Sequence, residues 1–441
     1  MKKIFVILVL AMICSMVKAD ETIFLTLEDA RQIALKGNYD VLSNKENILL
    51  AEGKEVEALS GYLPKLSLNG NYNYVSKIPV YTMSFTLPAP INATMSQKIS
   101  QGMNDNTVYK IGLTQNIFDW GRTVYNCQIA GLGKDMAKLD LDSVNSQVIF
   151  NVTSAFYNII LAKNVLSLQN ESLKIAQDHM QRIENNFKQG TSSSFELMKS
   201  KVQVANIKPS VSKAYHNLDI AKINLKNLLG IQADKNIEVM GGLAEESYPE
   251  NIIYESSLKS AEAQRPELSK IKKQQESARK ALDVAKTTDK PVITANAGYQ
   301  YQDPYYVQLE WVDYWSAGVN MSIPLFDGFL GYSKVKEAKA GVESIDYAAK
   351  NLNNMIGLEV RQAVYNLYDA NEKIISQKET IKQAEEYIKI AKDSFKNGVI
   401  TDLEVMDAEL ALLQARTAYL QALFEYTVAK NAYLKAIGEL K

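Results

Sequence analysis

The chain has 441 residues, with 49 Lys and Arg against 50 Asp and Glu, a near balance that offers a polyanion no basic surface and so excludes nucleic acid as a partner. Two cysteines and two histidines, His179 and His216, leave metal chemistry few ligands, and no motif implies a cofactor. After the N-terminus no segment carries 18 or more consecutive apolar residues, so a membrane crossing has to be made by a β-barrel.

Met1 to Lys3 give a basic start, Ile4 to Ile13 an apolar run, and Val17-Lys18-Ala19 a small-residue cleavage site before Asp20. Residues 1–19 therefore read as a secretory signal peptide, too short for a transmembrane helix. Cys14 raises the rival reading of a lipoprotein, against which bulky Ile13 sits where a lipobox wants a small residue. With Lys2, Lys3 and Lys18 removed, 46 basic residues face 50 acidic ones, and Cys127 is left alone, so no intrachain disulfide can form.

Residues 20–230 and 254–441 are two versions of one plan, joined by 231–253, where Gly241, Gly242 and Pro249 stand among few periodic apolar positions. At an offset of 227, Pro64 falls on Pro291, Leu66 on Ile293, Tyr72 on Tyr299 and Tyr74 on Tyr301. At an offset of 208, Phe118-Asp119 falls on Phe326-Asp327, Val152 on Val360, Tyr157-Asn158 on Tyr365-Asn366, Gly190 on Gly398 and Gly230 on Gly438. The change of 19 lies between residues 75 and 107, where the first half carries a longer loop.

In chain order, a helical stretch near Thr26 to Ser60 is interrupted around Gly37, and strands follow near 65–75 and 108–117. Leu66, Leu68, Tyr72 and Tyr74 alternate with Lys65, Ser67, Asn69, Asn71 and Asn73; Tyr109, Ile111 and Leu113 alternate with Lys110, Gly112 and Thr114. This is the period-two pattern of a strand with unlike faces. A proline-free helix then runs from Gly121 to Phe187, on the order of 100 Å if continuous. Its stripe, Val144, Val148, Val152, Ala155, Ile159, Ala162 and Leu166, recurs in the second half as Leu352, Ile356, Val360, Ala363, Leu367, Ala370 and Ile374. Gly190 ends the helix, and Ser193-Ser194-Phe195-Glu196 is a capping box that opens a returning helix to Gly230, with Pro209 expected to kink it.

The second half repeats the order: helical from Tyr254 to Lys286 with a break at Pro266, then strands near 292–302 and 314–323. A helix from Gly331 to Phe395 follows, then Gly398, the capping box Thr401-Asp402-Leu403-Glu404 and a return to Gly438. Helices of such length belong in coiled-coil bundles or tubes. Each strand is about ten residues, enough to span a bilayer when tilted. Two hairpins of a soluble antiparallel sheet alternate in the same way. The export signal favours the membrane, as do the aromatics gathered at the strand ends. Tyr74, Tyr109, Tyr301, Tyr305, Tyr306, Trp311 and Trp315 lie to one side, and Phe118, Trp120, Phe326 and Phe329 to the other.

Four strands cannot close an outer-membrane barrel, for which eight is the usual minimum, so several copies must contribute; of a dimer and a trimer, only the trimer begins to leave a usable lumen. At the strand-to-helix joints stand Asn116-Ile117-Phe118-Asp119-Trp120-Gly121-Arg122 and Pro324-Leu325-Phe326-Asp327-Gly328. With these joints and the doubled order of helix, strand, strand, long helix, tip turn and returning helix, nearly the whole mature chain resembles the TolC-like outer-membrane efflux family. The resemblance implies an α+β membrane protein in the cell outer membrane, a homotrimer in which four strands per chain complete a 12-stranded β-barrel above a long periplasmic α-helical barrel. It implies a passive exit duct, not an enzyme, in a tripartite efflux or type I secretion system. Its partners would be a periplasmic adaptor protein, an inner-membrane transporter that supplies the energy, and outer-membrane lipid.

In that family, acidic residues six and nine positions after the second tip glycine narrow the periplasmic end; here these are Glu404 and Asp407. A ring of such carboxylates would attract cations and repel anions. Glu404 also closes a capping box, as its repeat mate Glu196 does, whereas Asp407 has no such structural reason. The family's latch tyrosine and basic residue are replaced by Phe395 and Ile400, so a latch here would rest on other contacts, such as apolar packing among Phe187, Phe195, Phe395 and Ile400. The two tip turns, with Phe187, Gly190, Glu196, Phe395, Gly398 and Ile400, are the expected adaptor-docking surface.

Two other classes compete. A periplasmic coiled-coil scaffold or adhesin would carry its strands as a soluble sheet and need no detergent. A periplasmic enzyme would need a nucleophile-and-base motif, a metal cluster or a phosphate loop, and the sequence offers none; Ser192 to Ser194 serve as turn and cap.

Overall fold

The computed structural model describes residues 22–100, 103–232, 234–244, 252–303 and 310–440. The signal peptide with Cys14, Pro249, Tyr305 and Tyr306 lie outside the described residues.

The first half contains β1 (Ile23–Leu25), α1 (Leu27–Gly37), α2 (Tyr39–Leu59), β2 (Lys65–Tyr74), β3 (Val80–Thr86), β4 (Thr94–Ser100), β5 (Asp105–Phe118), α3 (Arg122–Lys188) and α4 (Ser194–Leu229). After β6 (Ile237–Val239) come α5 (Tyr254–Gln264), α6 (Pro266–Ala285), β7 (Val292–Asp303), β8 (Val312–Ser322), α7 (Leu330–Lys396) and α8 (Asp402–Ala436). The breaks fall at Asn38 and Arg265, beside the expected Gly37 and Pro266. The long helices α3 and α7 each have 67 residues, and α4 continues through Pro209.

Two compact units divide the chain, and neither is a sequence half. One holds the described residues of 1–47, 137–270 and 349–441, the other 48–136 and 271–348.

In the helical unit the apolar stripes do the packing. Val148, Val152, Ala155, Phe156 and Ile159 of α3 join Ala30 and Ala34 of α1, Leu225 and Leu229 of α4, and the short parallel pair β1–β6. Ile356, Val360 and Ala363 of α7, the repeat mates of Val148, Val152 and Ala155, pack with Ala261, Leu268 and Ala436. The stripe continues through Leu367, Ala370 and Ile374 against Ala422, Leu423 and Tyr426 of α8. Full burial of each large aliphatic here contributes roughly 1.5–3 kcal/mol. The pair β1–β6 is three residues long on each side, too short to leave a period in the sequence.

In the strand unit four antiparallel strands lie in the order β2-β5-β7-β8. Their register aligns the alternation across the sheet. One row runs Leu68, Ile111, Tyr299 and Trp315, and the next Leu66, Leu113, Ala297 and Ala317. The opposite face carries Asn69, Lys110, Gln300 and Tyr314 in one row and Ser67, Gly112, Gly298 and Ser316 in the next. The apolar face is uncovered: Leu68 is 72% and Trp315 78% exposed. Tyr109 and Tyr301 stack on Trp311 at one end, with centroids 6.2 and 4.6 Å away. Phe118–Trp120 and Phe326–Phe329 meet edge to face at the other. A bulge at Ile117 shifts the register between Asn116 and Phe118.

The Phe-Asp joints are helix caps. Asp119 accepts from the Gly121 and Thr123 backbone N–H groups at 3.1 and 3.0 Å, and Asp327 accepts from that of Gly331 at 2.7 Å. Between β2 and β5, where the sequence indicated only a longer loop, β3 and β4 form an antiparallel hairpin. Its alternation is interrupted by Gln97, opposite Met83, and by the Pro88 and Pro90 turn, which hid it from a search for long period-two runs.

Candidate gate and docking site at the helix tips

Both tip turns are built alike. α3 and α7 end where glycine takes the left-handed conformation, at φ +79° for Gly190 and +70° for Gly398. The Gly190 N–H donates to the Phe187 carbonyl at 3.0 Å and that of Thr191 to Asn186 at 2.9 Å; Gly398 to Phe395 and Val399 to Ser394 repeat these at 3.0 and 2.9 Å. This double bond pattern is the Schellman motif, and it frees the chain to turn at once.

The returning helices open with the expected capping boxes. Glu196 Oε2 accepts from the Ser193 N–H at 3.1 Å and the Ser192 hydroxyl at 2.5 Å, while its own N–H donates to Ser193 Oγ at 3.2 Å. Glu404 Oε2 accepts from the Thr401 N–H at 2.7 Å and the Thr401 hydroxyl at 2.9 Å. These donors hold both carboxyls below the usual glutamate range: for Glu196 chiefly the Ser192 hydroxyl, for Glu404 chiefly the Thr401 backbone N–H.

Buried Val405, Met406 and Ala408 alternate with exposed Glu404 and Asp407, so the two carboxylates share the outward face of α8. Asp407 makes no hydrogen bond or ion pair among the described residues.

Of the apolar tip residues, Phe195 and Phe395 line one cleft. Phe187, Phe195 and Phe395 are exposed and Ile400 is half-buried. Polar contacts join α8 to α3. Asp402, the first residue of α8, places Oδ2 2.5 Å from His179 Nδ1 and 3.1 Å from Arg182 Nε, both on α3. An ionised carboxylate only accepts, so the imidazole Nδ1–H donates. The side chains of His179 and Asp402 are 5% and 17% exposed and that of Arg182 51%, so the His–Asp bond is shielded and the Arg–Asp bond is not. Beside them lies a cleft of about 450 Å³ lined by Asn186, Glu196, Phe395 and Thr401 among others. The sequence signal for this link was slight: one of only two histidines, three residues after buried Ala176, and a carboxylate in the first turn of a helix.

Among the described residues, the polar side chains at the tips serve the caps and the His179–Asp402–Arg182 link, form ion pairs such as Lys392–Glu409 at 3.0 Å, or face solvent. Comparison with known proteins agrees with a conduit. Residues 30–231 and 257–439 match the family described as outer membrane efflux protein. Outer membrane protein TolC of Escherichia coli (strain K12) is 22% identical over 408 residues, covering 87% of this chain and 76% of that protein. The Campylobacter jejuni CmeC outer membrane channel superposes with a TM-score of 0.78 at 18% identity, over 94% of this chain and 85% of that one. The open-state MtrE outer membrane channel of Neisseria gonorrhoeae gives 0.74 at 16% identity, over 94% and 89%. The fold is thus that of outer-membrane channels, and with both halves matched the chain belongs to the outer membrane efflux protein family, an outer-membrane exit duct with a long periplasmic helical extension.

Proposed function

We propose that three copies close one 12-stranded transmembrane barrel and one periplasmic helical barrel, forming the exit duct of a tripartite efflux or type I secretion system. The observation that carries this reading is the four-stranded sheet with two unlike faces, whose edge strands β2 and β8 have no further strand partner among the described residues. An open edge is a row of unpaired backbone donors and acceptors that lipid cannot satisfy. Direction alternates along β2-β5-β7-β8, so β8 of one copy runs antiparallel to β2 of the next and the ring closes without a misfit. Three copies give 12 strands and a lumen; two would give a barrel filled by its own side chains. The face with Leu68, Ile111 and Trp315 meets outer-membrane lipid, and the face with Asn69 and Gln300 lines water.

At the periplasmic end Glu404 and Asp407 form the gate, three carboxylates to a ring. The tip surface with Phe187, Gly190, Glu196, Phe395, Gly398 and Ile400 receives a periplasmic adaptor, whose inner-membrane transporter supplies the energy; the duct does no covalent chemistry. Exposed phenylalanines beside rigid turns suit such docking. Crosslinking of the detergent-purified protein and recording in planar bilayers test the reading. A trimer that conducts is expected; a detergent-independent monomer, or crosslinked dimers without trimer, would overturn it.

A further inference from the structure

The four long strands carry five charged residues: Lys65, Lys110, Asp105, Asp303 and Asp313. Their register sorts them by sign. Asp105 pairs with Tyr74, Asp303 with Thr107 and Asp313 with Tyr301, all on the apolar face at the loop end of the sheet. Two of them are held there by phenols: Tyr72 donates to Asp105 at 2.5 Å and Tyr299 to Asp313 at 2.9 Å. Lys65 pairs with Thr114, and Lys110 lies between Asn69 and Gln300, all on the polar face. Among the described residues neither lysine makes a hydrogen bond or ion pair, and both are exposed. Lys110 runs across Gly298, where an added Cβ would lie 3.4 Å from its Cε. The glycine leaves room for the lysine stem on that face.

Resting on the duct reading above, we propose that Lys65 and Lys110 make the barrel section an anion-favouring stage, so that the solutes it passes most readily carry negative charge. Three copies place six ammonium groups on the water-lined strand face and no carboxylate. Lys110 stands opposite Asn69, four residues along β2 from Lys65, about 13 Å at 3.3 Å per residue. A strand tilt of about 40° brings the two rings to about 10 Å apart along the barrel axis. That is about one Debye length at 0.1 M salt, so the rings reinforce one another at or below that strength and are screened in 1 M salt. Positive rings on the wall of a water-filled passage raise the local anion concentration and lower that of cations. The gate carboxylates have the opposite sign, so the two contributions must be measured separately.

The test uses the full-length protein in planar bilayers under a KCl gradient. Lys65→Gln with Lys110→Gln should raise the potassium-to-chloride permeability ratio by about twofold or more in 0.1 M salt and change it little in 1 M salt. Lys65→Arg with Lys110→Arg should leave the ratio at its original value. An unchanged ratio in the glutamine pair, with conductance intact, overturns the proposal. In parallel, with Cys127→Ser as background, an impermeant charged thiol reagent should modify Lys110→Cys and spare Ile111→Cys. A wild-type protein that never conducts would sink the duct reading; the lysine assignment would then be decided by the labelling, and modification at 111 in place of 110 overturns it.

Discussion

Replacing Asp402 with Ala removes the acceptor that ties the first turn of α8 to α3. Its bond with His179 is shielded on both sides, and a hydrogen bond to a charged group in such a place contributes about 1.5–3 kcal/mol. Arg182 is half exposed, so its share sits near the bottom of the roughly 0.2–1 kcal/mol found for solvated pairs. A carboxylate in the first turn of a helix adds about 0.3–1 kcal/mol. Together these make about 3 kcal/mol, which at 1.4 kcal/mol per tenfold is about a hundredfold in the equilibrium for local opening. Amide hydrogen exchange reads that equilibrium directly. Peptides from the start of α8 and from α3 around His179 should exchange about a hundredfold faster in Asp402→Ala, and Asp407→Asn should exchange as wild type. If Asp402→Ala exchanges within about threefold of wild type, the link does not hold the tips together and the polar reading of this contact is wrong.

Val319 and Asn320 are neighbours on β8 whose side chains leave opposite faces. Val319→Lys should cost about 2–4 kcal/mol per chain in folding from denaturant into bilayers, while Asn320→Lys is tolerated; equal costs would refute the assignment of faces. Glu404→Gln with Asp407→Asn should lower the cation preference of single channels while the protein still assembles. An unmoved reversal potential would remove these two residues from the constriction.

Periodic features were the legible part of the sequence. The runs from Leu66 to Tyr74 and from Ile293 to Tyr301 advertised their strands because every second side chain changes polarity. The long helices showed through Val152 and Val360 and most of their stripe mates, which are core positions, while Ala162 and Leu166 at the end of the first stripe are half-buried outside the core clusters. The tip turns were readable because a left-handed glycine and a capping box lie within seven residues of each other, at Gly190 and Glu196 and again at Gly398 and Glu404. What stayed hidden lacks a period. β1 and β6 are three residues each, and β3–β4 alternates only briefly around a proline-rich turn. His179 and Asp402 are 223 positions apart, and neither residue names the other. Apolar side chains suggested a hydrophobic latch, and in the single chain Phe187 and Phe395 are 42% and 44% exposed; composition indicates which side chains could pack, and only the backbone path decides whether they do.

The seam between β5 and β7 has a consequence for how the protein is made. It joins Phe118 to Ile293 and Thr107 to Asp303, so the middle of the sheet waits for residues that leave the ribosome long after β5. Closing so large a loop costs about 2.6 kcal/mol more entropy than closing a short hairpin such as β7–β8, and long-range strand pairing of this kind is slow. During export β2 and β5 can pair with each other, but β5 then presents an open edge beside Tyr109, Ile111 and Leu113. A chain halted before Val292 is left in that state, where its cheapest partner is the same strand of another unfinished chain. The interleaving of the two halves thus leaves the edge of β5 uncovered until the last third of the chain has been made.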